Sequence, residues 1–288
     1  MYLAGIIFSV LAMFGWGLGD FYIQKTTRRV GNIESLFFIC LFASIVLLPF
    51  SYQGIGRLNS HTIWPLLIVV AATFFAIGIN FQAFKIGKIS VIETVLGLEL
   101  PMTLGFSILF KGESVSVWQV LLILLVFFGI MFATVEDPLT LHHHVKEKGV
   151  WLAMIGSVVL AVINVFMGIS SIQTTPLFAN WFTSVLIVVA LYFFMYYQHG
   201  RHHLAKHMEN NVGLLTRLGI VDNGAWIAFS FAALYIPISI ATTVSEGYIA
   251  LAAALGIWVN HEKLKLHQLV GVFLAIGAII VLSAISKY

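Results

Sequence analysis

Residues 89–113 read ISVIETVLGLELPMTLGFSILFKGE, and this stretch decides the fold. From 91 to 110 it is mostly apolar and, at ~20 residues, long enough to cross a bilayer as a helix. Glu93, Glu99 and Pro101 nevertheless lie inside that span. A carboxylate deep in hydrocarbon costs at least ~2.5 kcal/mol, so one that persists there faces protein or water. Pro101 has no amide proton and crowds the carbonyl of Gly97, which predicts a kink and a hinge at Gly97 and Pro101, beside Glu99. Gly97, Pro101 and Gly105 recur every four residues, which predicts a small-residue face that another helix approaches closely. A kinked helix with an interior acid reads as cavity lining. The competing reading is a packing helix whose glutamates are buried and neutral.

The stretch has a second copy half a chain later, where residues 238–263 read ISIATTVSEGYIALAAALGIWVNHEK. Setting Glu113 on Glu262 also sets Gln119 on Gln268, Ile89 on Ile238 and Ser90 on Ser239. Glu246 then falls opposite Gly97, two positions from the partner of Glu99. A period near half the length means two repeats. The glutamates closing LFKGE and WVNHE, each followed by a Gln and a Gly-bearing last helix, resemble the EamA repeat of the drug/metabolite transporter superfamily. The WGLGDFYIQK ending of the first helix is similar too. The resemblance covers essentially the whole chain. It implies a membrane transporter of two five-helix repeats, 1–135 and 150–288, joined by a linker at 136–149. The chain departs from the pattern twice: residues 37–42 read FFICLF without a basic residue, and Ala250 stands where a Pro is usual. Substrate choice is therefore not carried over.

The composition agrees with that class. Of 288 residues 60% are hydrophobic and 9% charged, more apolar sequence than a water-soluble core can absorb. The ~10-residue alternating segments of a transmembrane barrel are not visible. We expect an all-α polytopic membrane protein with ten spans, near 3–24, 33–52, 63–84, 91–110, 115–135, 150–172, 177–197, 212–234, 240–259 and 266–286. The first of these reads as a retained span and not a signal peptide, having no basic leader and no small-residue cleavage site. Cys40, the single cysteine, excludes an intramolecular disulfide and reads as a small apolar filler. A net charge of +3 with basic residues at span ends gives no nucleic-acid stripe.

All 15 Lys and Arg except Arg57, Lys111 and Lys287 follow odd-numbered spans. The positive-inside rule then puts those loops in the cytoplasm and both termini outside, although the resemblance implies the opposite. Five helices per repeat is an odd number, so the two repeats must be inverted. In such proteins the substrate sits near the midplane at the repeat interface. At 1.5 Å per residue, Glu99 lies ~12 Å into span four, Asp222 ~15 Å into span eight and Glu246 ~9 Å into span nine. Asn164 and Asn223 are similarly deep, and Asp20 and Glu93 shallower. Glu93 reads as structural, beside Lys88 and at a helix N-terminus. Trp16, Trp226 and Tyr248 are the aromatic candidates, Trp226 foremost because it follows Asp222 by one turn. Trp181 is a further aromatic candidate, and a Trp other than Trp226 reads more often as a packing or interfacial residue than as a substrate contact.

No interior Lys or Arg accompanies Glu99, Asp222 or Glu246. Such acids stay protonated or bind a cation, which suits a proton-coupled carrier or a cation-binding cavity and disfavours an anionic substrate. No nucleophile–base pair, phosphate loop or HExxH motif is present, so neither an enzyme, a cofactor nor a metal is expected. His199, His203 and His207 share a helical face, with His142, His143 and His144 on the same predicted side. A basic interfacial helix is the plain reading. The expected function is secondary transport of a small neutral or cationic metabolite, such as an amino acid, sugar or amine, across the cell membrane by alternating access, with protons as the candidate coupling ion. The alternative is a non-transporting scaffold or sensor using the His-rich loops for metal or pH.

The charge distribution makes one prediction. In a Cys40→Ser background, His143→Cys resists impermeant thiol reagents in intact cells. Labelling from outside overturns the charge-based orientation.

Overall fold

The computed structural model describes residues 1–86, 92, 95–135, 147–199, 201–251 and 265–285. Among them the regular structure is helical. In chain order the helices are α1 (Tyr2–Val30), α2 (Asn32–Val46), α3 (Leu48–Ile55), α4 (Ser60–Ile86) and α5 (Glu99–Phe106), which runs on as a π-turn over Ser107–Lys111. Then come α6 (Val117–Thr134), α7 (Lys148–Gln173), α8 (Pro176–His199), α9 (Arg201–Ala232), α10 (Ile238–Ser245) and α11 (Leu266–Ile285). Among the described residues, six helices are long and apolar enough to cross a membrane, or seven if α2 and α3 form one bent span.

Ten continuous spans are therefore not what the described residues display, and each departure has a cause. The second expected span bends by 72° between α2 and α3, because Pro49 in the first turn of α3 has no N–H to continue the α2 ladder. The fourth is broken by a turn at Gly97–Leu98. The ninth is broken at Glu246–Gly247, and its residues 252–259 lie outside the described set. The segment 198–211, expected as a connection, is mostly helix: α8 runs to His199 and α9 begins at Arg201.

Local chemistry explains the joints. One residue, Gly31, separates α1 from α2 at φ 102, a backbone state that glycine adopts without strain. At the start of α6, Ser116 and Gln119 form a capping box: the Ser116 N–H donates to Gln119 Oε1 at 2.8 Å and the Gln119 N–H to Ser116 Oγ at 3.3 Å. The repeat partner Gln268 does the same half of this work, accepting from the Lys265 N–H at 3.0 Å before α11. The two glutamines that mark the repeat thus open the last helix of each half.

The helices pair across the halves. α1 packs on α9, α4 on α7, α2 on α8, α5 on α10 and α6 on α11. The α6–α11 seam is close enough for backbones to touch. A Cβ added at Gly129 would stand 2.6 Å from the Ala275 nitrogen, and one at Gly271 2.5 Å from the Ala133 nitrogen. The same helix α6 turns Leu121, Leu125, Phe128 and Phe132 outward, and only 33% of it is buried. An outward apolar face of that kind is stable only against lipid or another apolar surface. Gly105, expected on a close-packed small face, is exposed, and a Cβ added there would meet none of the described residues within 4 Å. The contact-bearing small residues lie elsewhere, as at Gly15 against Ala225.

Gly271→Val forces α6 and α11 apart. The expected loss is ~1–3 kcal/mol, read as a lower unfolding midpoint in detergent; an unchanged midpoint contradicts the backbone contact.

Candidate functional site

A cavity of about 320 Å³ lies between the two halves. Helical spacing builds its walls. Asn32, Ser35, Leu36, Ile39 and Cys40 come from one face of α2, and Val69, Thr73, Ala76 and Asn80 from one face of α4. Opposite them stand Leu160, Ile163 and Met167 of α7, Asn180, Thr183, Ser184 and Ile187 of α8, and Asp222, Asn223 and Trp226 of α9. The α1 residues Ile23 and Thr27 complete the wall near Asn32. Its size suits a small organic solute.

The polar lining is held in place by hydrogen bonds. Asn223 Nδ2 donates to the carbonyls of Ile39, at 3.0 Å, and Gly219, at 2.8 Å. Asn180 Nδ2 donates to Pro176 O and to Ser230 Oγ, both at 2.8 Å. The hydroxyls of Thr73 and Thr183 turn back onto Val69 O and Ala179 O, each at 2.8 Å, and Ser35 onto Gly31 O at 2.6 Å. Cys40, expected as mere filler, bonds the Ser184 side chain and lies within electrostatic reach of Asp222. No Lys or Arg is among the described lining residues.

A second polar cluster is separate from this cavity. Buried Glu99 is hydrogen-bonded through its side chain to Glu246 and to Asn164. A bond between two carboxyls requires a proton on one of them, because an ionised carboxylate only accepts. Both acids sit at helix breaks. The Leu100 N–H reaches Gly97 O at 3.2 Å, so this carbonyl, which Pro101 cannot serve, is still satisfied. The Glu246 N–H closes on Thr242 O at 2.8 Å before the chain turns. One helical turn from each acid, Thr103 and Thr242 carry buried hydroxyls without a hydrogen-bond partner among the described residues.

The expected site residues thus divide. Asp222, Asn223 and Trp226 line the cavity; Glu99, Glu246 and Asn164 meet one another and do not line it. Trp16 stands edge-on behind Trp226, ring centroids 5.2 Å apart at 76°. Tyr248 packs beside Gly17. The side chain of Asp20, along with Glu93, Glu262 and the side chains of the His-rich segments, lies outside the described residues. Asn180, Thr183, Ser184, Thr73, Asn80 and Ser35 escaped the sequence reading, which judged residues by depth alone. Their spacing was a usable signal, since Asn180, Ser184 and Ile187, like Thr73, Ala76 and Asn80, share one face of a helix.

Hydrogen bonds tie the two halves to each other. Arg57 Nη1 donates to Thr174 O at 2.6 Å, and Trp181 Nε1 to Ser44 O at 3.1 Å. The Glu113 carboxylate accepts the Ile238 N–H, and also the Ser239 N–H at 3.2 Å and the Ser239 hydroxyl at 2.8 Å. An acid at the positive end of α10 is favourably placed. All three links join the first half to the second. The lining itself reaches exposed Asn32, the first residue of α2.

Residues 3–135 and 147–284 each match the model of the EamA-like transporter family. The chain belongs to that family. The two matched segments are the two walls of the cavity, so this EamA-like protein closes its cavity only by joining them. No curated protein matches the sequence significantly. A solved structure, described as a crystal structure of protein, superposes with a TM-score of 0.72 at 14% identity, covering 98% of this chain and 97% of the other. That likeness concerns the fold.

The acid pair makes a prediction for this EamA-like chain. Glu99→Gln preserves a hydrogen-bonding head and melts near the parental temperature. Glu99→Leu leaves Glu246 and Asn164 short of a partner at a cost of ~1–3 kcal/mol, a clear drop in melting temperature. Equal melting of the two variants removes the bonded cluster.

Proposed function

We propose that the protein is a secondary transporter that carries a small neutral or cationic metabolite across the cell membrane by alternating access, with protons as the coupling ion. The observation that carries this reading is a cavity built by both family segments, bearing Asp222 and no described Lys or Arg, with hydrogen bonds that tie the two segments together. A carrier must release such ties and form others as access changes. The pairing of helices supports ten spans in two inverted five-helix repeats, 1–135 and 150–288, with 136–149 as linker. Exchanging the halves turns the α1–α9 pair into the α4–α7 pair and leaves the α2–α8, α5–α10 and α6–α11 pairs in place. That is the signature of a pseudo-two-fold axis.

In this reading Asp222, Asn223 and Trp226 hold the solute. Glu99 and Glu246, one from each half, hold the coupling proton, and Asn164 orients them. Gly97 and Pro101 form the hinge beside the pair. Trp16 and Tyr248 back the site, and Asp20 is a further polar group of the first span. The protein works as a carrier and not as an enzyme.

The test is uptake into proteoliposomes of a panel of amino acids, sugars and amines, with and without a proton gradient. One class of solute accumulates, faster with the gradient. Asp222→Asn lowers its uptake about tenfold or more, the loss expected for one charged hydrogen bond, and Glu246→Gln removes the response to the gradient while leaving the fold intact. No uptake above protein-free vesicles for any solute overturns the reading.

A further inference from the structure

The hydrogen bonds of the cavity also decide what it can hold. Each Asn side chain has two N–H groups and one carbonyl oxygen. Both N–H groups of Asn180 are committed, to Pro176 O and Ser230 Oγ, and both of Asn223, to Ile39 O and Gly219 O. For Asn223 the orientation is forced, because a reversed amide would set its oxygen against two carbonyl oxygens. The single protons of Thr73 and Thr183 go to backbone carbonyls as well. What these side chains have left to offer is oxygen: amide carbonyls and hydroxyl lone pairs. Asp222 is the acid of the lining, and no Lys or Arg is among the described lining residues.

A solute entering such a space loses water and must find partners for its own polar groups, or pay heavily in affinity. A carboxylate or phosphate would meet the Asp222 carboxyl with no Lys or Arg among the described lining residues to offset it. A sugar could donate, but its many oxygens would then find few donors. A fully alkylated ammonium carries charge but no N–H to satisfy the lining oxygens. A primary ammonium brings three donors and no acceptor, and its apolar remainder fits the Ile39, Val69, Ile163 and Met167 walls. The Trp226 ring, also in the lining, offers a face that attracts cations. We infer that the solute of this cavity is a primary amine in its ammonium form with an apolar body, selected by its N–H groups and not by charge alone. The inference rests on the cavity being the transported solute's site.

The experiment uses four analogues of one shape on the purified full-length protein: phenethylamine, phenethyl alcohol, phenylacetate and phenethyltrimethylammonium. Binding is titrated through the shift in melting temperature and through tryptophan fluorescence. Phenethylamine is expected to bind about tenfold or more tightly than each of the others, the ratio for charged hydrogen bonds. Asp222→Asn should remove most of that preference. Equal binding of the trimethylated analogue shows selection by charge alone and overturns the inference, as does tighter binding of the alcohol or the carboxylate, or no binding by any. The analogue series needs no variant to fold. Uptake of an amino acid or sugar by a protein that ignores phenethylamine overturns the inference and leaves the carrier reading standing. Selective phenethylamine binding without uptake of any solute does the reverse.

Discussion

A hydrogen-bonding group within the hydrocarbon layer has no water to turn to, so its partner must be inside the protein. Most of this structure follows from that constraint. Hydroxyls along the helices fold back on the preceding turn, as Ser9 does on Gly5 O, Ser44 on Cys40 O and Ser170 on Phe166 O. Where the backbone ladder is interrupted, a side chain from the other half takes up the slack: Glu113 receives the first N–H groups of α10, and Arg57 the carbonyl of Thr174 after α7. Asn223 on α9 and Trp181 on α8 reach carbonyls of α2. The polar groups that a lipid environment cannot satisfy are therefore the same groups that hold the halves together.

The same constraint explains where function can reside. Among the described residues, polar side chains gather in two regions, the cavity and the Glu99–Glu246 cluster. Helix α7 runs between them. Its Ile163 and Met167 face the cavity, while neighbouring Asn164 bonds Glu99. One rigid element thus touches both regions, and Ser157 on the same helix donates to Val95 O at 2.9 Å, just before the break at Gly97. A shift of the broken helix would be felt along α7. This is a physical connection between the two regions, and coupling along it is a matter for measurement.

Much of this was legible in the chain itself. The register that sets Glu113 on Glu262 and Ser90 on Ser239 singled out Glu113 and Ser239 before either had a place, and the two residues are bonded to each other. Asp222 and Trp226 stood out through depth and one-turn spacing, and both line the cavity. The break near Glu99 was signalled by Pro101. The bend at Pro49 could have been read in the same way, since proline acts on the helix through its own missing N–H wherever it stands.

Membrane class, repeat and inward-lying acids were determined by the sequence alone, because each depends on local composition or on spacing along the chain. Which acids meet was decided by the tertiary structure. Glu99, Glu246 and Asp222 looked alike as deep carboxyls, yet two of them bond each other and the third lines a different space. The reason is rotational. A span that is apolar on nearly every side meets lipid or protein equally well, so its pattern carries little information about which face turns inward. Close contacts such as Gly129 on Ala275 and Gly15 on Ala225 set that rotation, and they exist only once the two halves have come together.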